Sequence, residues 1–196
     1  MSGAGTAGIS RHSRGAATGA SLFEPTGLAV DDLGNVYIAD RNNHRIRKVG
    51  PDGTVSTLAG LISAGSTNGL VGVAQFDNPI GIAVDSSGNT YITEVSSHAI
   101  RKVAANGSTS IFAGSYTVPG TTNDTGTSAR FDSPTGLAFQ VDGTLLVADK
   151  GNHRIRSISP AGVVATYVGS GTSGTADGLG EVAQFDQPIS LATTPT

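Results

Sequence analysis

PTGLAVDDLGNVYIADRNNHRIRKVGPDGTVSTLAG, residues 25–60, is the stretch that decides the architecture. It returns at 79–114 as PIGIAVDSSGNTYITEVSSHAIRKVAANGSTSIFAG and at 134–169 as PTGLAFQVDGTLLVADKGNHRIRSISPAGVVATYVG. A fourth copy opens with PISLA at Pro188. The opening prolines lie 54, 55 and 54 residues apart, and a fixed period of this size marks a repeat array. Within the first copy, four short runs are separated by turn residues: 27–31, 36–39, 45–49 and 54–59. Runs of this length, rich in β-branched residues and bounded by Gly, Asn, Asp and Pro, read as strands joined by hairpins. GLAV and VYIA are apolar on both faces, so both faces of each small sheet must be covered. A solitary four-stranded sheet cannot do this. Sheets stacked around an axis can, and that is a propeller.

The signature residues are Asn43-His44-Arg45-Ile46 and Asn152-His153-Arg154-Ile155, each after an Ala-Asp turn, with PTGLAVD…GNVYIAD upstream. They resemble the NHL repeat. The middle copy departs from it: only His98 and Ile100 of the signature remain, Ser97 stands in place of Asn, and Glu94 replaces the Asp. The resemblance implies an all-β fold of four-stranded antiparallel propeller blades, a ring usually closed by about six. Three full blades (25–60, 79–114 and 134–169) plus the first strand of a fourth (188–196) make a partial propeller or half of a six-bladed ring. The resemblance specifies fold more than function, because NHL propellers serve as protein-binding, RNA-binding and enzymatic modules.

The connections 61–78, 115–133 and 170–187 are long for loops, and each ends in a small apolar pair: Ala74 and Phe76, Ala129 and Phe131, Ala183 and Phe185. These pairs are expected to plug the seams between blades, while the Ser/Thr/Gly-rich tips are candidates for a binding face. Residues 15–25 resemble the end of such a connection, so the sequence opens inside one. Such an opening, with PISLATTPT at the other end, is expected of a stretch cut from a longer array. The alternatives are two chains closing one ring, or open faces stacking head to tail into a filament.

Of the twelve Lys and Arg residues, nine fall in the second turn or third strand of the repeats. Arg45, Arg47, Arg101, Arg154 and Arg156 form the candidate polar binding face. Acidic residues recur in register with them, and aromatics for base stacking do not. Arg47, Arg101 and Arg156 are therefore expected to pair with Asp40, Glu94 and Asp149 or with carbonyls of the next blade. That placement and a net charge of −3 argue against nucleic acid as the partner. His44, His98 and His153 recur at one position, entering neighbouring strands too far apart to share a metal, and read as turn residues. His12 stands alone. Asp77, Asp132 and Asp186 are too sparse for a calcium loop.

The chain has no Cys, which excludes disulfides and thiol chemistry, and no apolar run reaches the ~20 residues of a membrane span. The first fifteen residues show no signal-peptide core. Two glycosylation sequons, at Asn106 and Asn123, lean toward secretion without fixing a compartment. If the GLAV strands are innermost, the channel meets Asp31, Asp85 and Gln140, each at the start of a hairpin turn. No catalytic, cofactor or metal set is assigned. The expected function is a non-catalytic structural or adhesive scaffold, with protein as partner: itself, further repeats of the array or another protein, or else a glycan. The alternatives are part of a propeller hydrolase or lyase with its catalytic residues in other blades, and an RNA-binding module using the basic stripe.

Overall fold

The computed structural model describes residues 15–16 and 19–194. The strands in chain order are β1 (Gly15–Ala16), β2 (Pro25–Val30), β3 (Val36–Asp40), β4 (Arg45–Val49), β5 (Thr54–Ala59), β6 (Pro79–Val84), β7 (Thr90–Glu94), β8 (Ala99–Val103), β9 (Thr109–Gly114), β10 (Pro134–Phe139), β11 (Leu145–Asp149), β12 (Arg154–Ile158) and β13 (Val164–Val168). They form three antiparallel meanders, β2 to β5, β6 to β9 and β10 to β13, with β1 added outside β5. Each meander is one blade. Hairpin tips 31–35 and 50–53, with their counterparts, lie at one end of the blades. The turn between the second and third strands lies at the other end, from which each connection leaves and to which it returns, running along the outer edge toward the hairpin end between.

The inner strand of each blade begins at the proline, two residues earlier than the apolar run suggested. Proline lacks an N–H, so it suits a strand that pairs on one side only. Pairing breaks between Pro25 and Leu28, between Pro79 and Ile82, and between Pro134 and Leu137. These irregularities turn the Thr-Gly or Ile-Gly step toward the neighbouring blade. Thr26 Oγ1 donates to the carbonyls of Pro79 and Ile80 at 3.2 and 3.0 Å. A Cβ on Gly81 would overlap the carbonyl oxygen of Thr135, so the inner strands meet backbone to backbone and only glycine fits there. The inner strands therefore line the axis.

Residues 188–194 run beside β10 in the same manner: Thr135 Oγ1 donates to Pro188 O at 3.3 Å and Thr193 Oγ1 to Phe139 O at 2.7 Å. They form no ladder, because an inner strand pairs only with the second strand of its own blade.

Two apolar clusters fill the two seams. Tyr37, Ile46, Ala59, Phe76, Ile82, Ile92 and Val103 pack between the first and second blades. Tyr91, Ile100, Ala113, Phe131, Leu137, Leu145 and Ile158 are among those packed between the second and third. Ala74, Phe76, Ala129 and Phe131 are fully buried, as expected of seam plugs. Full burial of a large apolar side chain contributes about 1.5–3 kcal/mol, so the plugs rank among the main stabilising contacts of each seam.

The connections do more than cross the seams. Thr109 N donates to Gly69 O, and Val164 N to Asp124 O, both at 2.8 Å. These bonds stand at the position where Gly15 and Ala16 pair with Val55 and Thr54. Each connection thus lays a short extra strand along the outer edge of the blade that follows it. The pairing occupies part of an exposed row of N–H and C=O groups that would otherwise invite aggregation.

Candidate functional site

Polar side chains collect in two places, the seams and the hairpin ends. In the second blade the seam is organised by Arg101, which is 0% exposed. Its Nη1 donates to Glu94 Oε2 at 3.0 Å and to Gln75 O at 3.1 Å; its Nη2 donates to Thr67 O at 3.1 Å and to Asn68 Oδ1 at 2.8 Å. Four of its five N–H groups are satisfied, and the fifth, on Nε, is buried without an acceptor. The guanidinium lies 4.9 Å from the centre of the Phe76 ring, above the plug. Arg156 repeats the arrangement with Asp149 Oδ2 (2.9 Å), Arg130 O, Thr122 O, Asn123 Oδ1 and the Phe131 ring. Arg47 reaches Asp40 at 3.4 Å.

The acid of each pair also accepts a backbone N–H from the end of the connection: Phe23 to Asp40, Asp77 to Glu94, and Asp132 to Asp149. The carbonyls that Arg101 and Arg156 bind belong to the connection entering their own blade, whereas the sequence suggested those of the next blade. Burial pushes Glu94 up to about 7, against the lowering pull of Arg101 and the Asp77 N–H. Asp149 is raised for the same first reason, and burial lowers Arg156.

Asn43 and Asn152 explain their place in the signature by donating to Asp40 and Asp149. In the middle copy Ser97 makes no such bond, and the longer Glu94 spans the gap. The turn residues Arg41–Asn43 and Lys150–Asn152 form single 3-10 turns that end on a left-handed histidine, φ 53° at both His44 and His153. His44, His98 and His153 each accept, through Nδ1, the backbone N–H of the residue before the next proline: Asn78 (3.3 Å), Ser133 (3.0 Å) and Gln187 (3.2 Å). Asp132 Oδ1 also approaches His98 Nδ1 at 3.3 Å, and Asp186 Oδ1 approaches His153 Nδ1 at 3.6 Å. The histidines are latches from one blade to the next. Among the described residues, no group of three His, Cys, Asp or Glu side chains could hold a metal ion.

The candidate basic face is mostly spent on these tasks. Arg47, Arg101 and Arg156 are at most 1% exposed and Arg45 is buried, while Arg154 is half-buried and donates to Ser170 O at 2.9 Å. Burial takes the first four out of any surface that could meet a phosphate backbone. Asn106 is exposed, with Oδ1 accepting Ser108 N in a tight turn, and Asn123 is exposed, with Oδ1 held by Arg156. Arg11, His12 and Arg14 lie outside the described residues.

At the hairpin ends, Asp31 accepts Leu33 N, Asn35 N, Asn35 Nδ2 and the Tyr37 hydroxyl. Asp85 accepts the equivalent four from Ser87, Asn89 and Tyr91. Burial raises both carboxyls, but these donors outweigh it and hold both below the usual range. Gln140 replaces the acid in the third blade. Between tips 31–33 and 85–88 lies a small acidic gap of about 150 Å³. Between the second and third blades the cleft is about 460 Å³ and is lined by Asp85, Tyr91, Lys102, Phe112, Phe139 and Gln140 among others.

Residues 24–49 match the family model of the NHL repeat, and residues 72–159 match that of the teneurin NHL domain. The chain carries NHL repeats and folds as β-propeller blades. This NHL chain is 27% identical to Teneurin-3 of Danio rerio over 209 residues, which cover 92% of the chain and 8% of the teneurin. It is 28% identical to NHL repeat-containing protein 2 of Homo sapiens over 151 residues, covering 70% of the chain and 21% of that protein. The chain thus spans a small part of these relatives.

Three solved structures share the NHL fold. A Bacteroides thetaiotaomicron protein of unknown function matches at TM-score 0.72 and 20% identity, over 87% of this chain and 42% of that one. A nidogen/laminin complex structure matches at 0.59 and 24%, over 88% and 53%. A streptogramin B lyase matches at 0.58 and 14%, over 89% and 46%.

Proposed function

We propose that this NHL segment is a non-catalytic scaffold that presents its connection tips to a protein partner. The observation that carries the reading is the saturation of the polar groups an enzyme would need free. Asp31 and Asp85, at the ends of the inner strands, each accept four donors from their own hairpin. A carboxylate so engaged has no lone pair to offer a substrate proton. The recurring arginines are spent on holding each connection to its blade, and the histidines on latching one blade to the next. Exposed along the connections are Ser66, Thr67 and Asn68 in one and 121–125 in the next, polar stretches without a poised base, with Leu70, Val71, Val73 and Val118 exposed beside them. The neighbour in a nidogen/laminin complex agrees with a binding role, within the limits of shared fold.

The test has two parts. A photo-cross-linking amino acid at Ser66 or Thr121 is expected to give discrete adducts in cells that make the protein. The same residue at Asp52 or Asp142, on the hairpin end, is expected to give none. Purified chain is expected not to turn over a panel of lactones and lyase substrates with or without added divalent metal. Turnover would overturn the reading in favour of a catalytic propeller, for which the lyase neighbour is the motive. Equal cross-linking from both ends would remove the connection tips as the binding face.

A further inference from the structure

The two seams share a plan and differ most in aromatic content. Tyr37 and Tyr91 are equivalent, as are Lys48 and Lys102, and each lysine Nζ sits 5.3 Å from the centre of its tyrosine ring. Around Tyr37 the seam offers Leu58 on its own blade and Val84 and Asp85 across from it. Around Tyr91 the same positions hold Phe112, Phe139 and Gln140. The three changes converge on one cleft of about 460 Å³ between the second and third blades, a volume within the 300–1,000 Å³ of small-molecule sites.

Phe112 and Phe139 both meet Tyr91 edge-on, with ring centres 4.9 and 5.1 Å away and planes at 75° and 77°. Tyr91 is buried, and the two phenylalanines are half-buried and line the cleft. Such an aromatic wall suits a flat apolar body. Lys102 supplies the charge at the rim. Among the described residues no carboxylate lies within 4 Å of its Nζ. Asp85, the acid on this wall, already accepts Ser87 N, Asn89 N, Asn89 Nδ2 and the Tyr91 hydroxyl. Replacing the second acid by Gln140 removes the repulsion that an anion would meet in the first seam.

We propose that the cleft between the second and third blades binds a small planar organic carboxylate, its ring against Phe112 and Phe139 and its anionic group on Lys102. The site lies at the hairpin end, is lined by none of the connection residues, and stands independently of the scaffold reading.

The probe is trans-cinnamate, with its neutral amide as control, titrated into the 196-residue chain and followed calorimetrically and by saturation-transfer NMR. The expected dissociation constant is below about 1 mM. Lys102→Met is expected to weaken cinnamate at least tenfold and to leave the amide unchanged. The double variant Phe112→Leu/Phe139→Val installs the residues that the first seam carries, which keeps the fold within what the chain already tolerates, and is expected to weaken both ligands at least tenfold. Circular dichroism melts report on folding. Absence of cinnamate binding to the parent chain overturns the proposal. So does binding that survives both variants, or a Lys102→Met variant that loses cinnamate and amide alike.

Discussion

Replacing Arg101 by Met tests whether each blade is held to its connection by the buried guanidinium. Methionine keeps the length and apolar stem, so the Phe76 contact loses little volume. What disappears is the fork of four hydrogen bonds to Glu94, Gln75, Thr67 and Asn68. Glu94 is left 0% exposed without its cation, Gln75 O loses the guanidinium donor, and Thr67 O keeps only Gln75 N. Breaking a buried ion pair from one side costs about 3–5 kcal/mol. In a domain of this size each kcal/mol moves the melting point by about 2–4 °C, so a fall of roughly 6–20 °C is expected. Arg101→Lys should fall between, since an ammonium can replace the charge but not the planar fork. The double variant Glu94→Met/Arg101→Met should recover the part due to the stranded carboxylate, and the cycle should be non-additive by more than 1 kcal/mol.

The readouts are urea unfolding and amide exchange. In Arg101→Met the amides of Gln75 and Asp77, which donate to Thr67 O and Glu94, should lose protection before β7 and β8 do. A loss of stability below about 1 kcal/mol, or protection lost uniformly over the blade, would refute the reasoning.

The raised Glu94 predicts a pH effect of definite sign. A carboxyl near 7 in the folded chain and 4.5 in the unfolded one binds its proton more tightly when folded. Its contribution is therefore fully present below about 4.5 and lost as pH rises through about 7, by at most about 3 kcal/mol. Urea midpoints should decline over this window, and Glu94→Gln should remove the decline. His98→Gly keeps a residue that tolerates the left-handed backbone and has no side-chain acceptor for Ser133 N. A loss of about 1–2 kcal/mol and faster exchange of the Ser133 amide are expected, and unchanged exchange would dismiss the latch. Gly81→Ala drives a Cβ into Thr135 O at the axis. Calorimetric unfolding should show at least about 1–3 kcal/mol of destabilisation, and a silent substitution would mean that the inner strands do not touch.

Much of this was legible because repeats state each reading three times. The third and fourth strands of the first copy stand where the apolar runs placed them, and the pairing of Arg47, Arg101 and Arg156 with Asp40, Glu94 and Asp149 followed from their register. The extra outer strands escaped notice, since a one- or two-residue pairing has no periodicity to detect. The histidines were read as turn residues, which is half of their role. Their bond to Asn78, Ser133 or Gln187 spans 34 or 35 residues and leaves no local mark. The aromatic cleft could have been found: Phe112 and Phe139 stand where the first copy has Leu58 and Val30, a departure visible once the copies are aligned.

The extra outer strand makes each connection the property of the blade after it. Gly69 and Asp124 are bonded into the second and third blades, and Arg101 and Arg156 tie the rest of each connection to the same blade. The cooperative module is therefore offset from the sequence repeat: it runs 61–114 and 115–169, not from proline to proline. A duplication or an engineered insertion that respects this phase would carry a blade with its own edge cover and its own clamp. One cut at the prolines would separate Arg101 and Arg156 from the connection carbonyls they hold. The natural joints of the array are Gly60, Gly114 and Gly169, where a designer should cut.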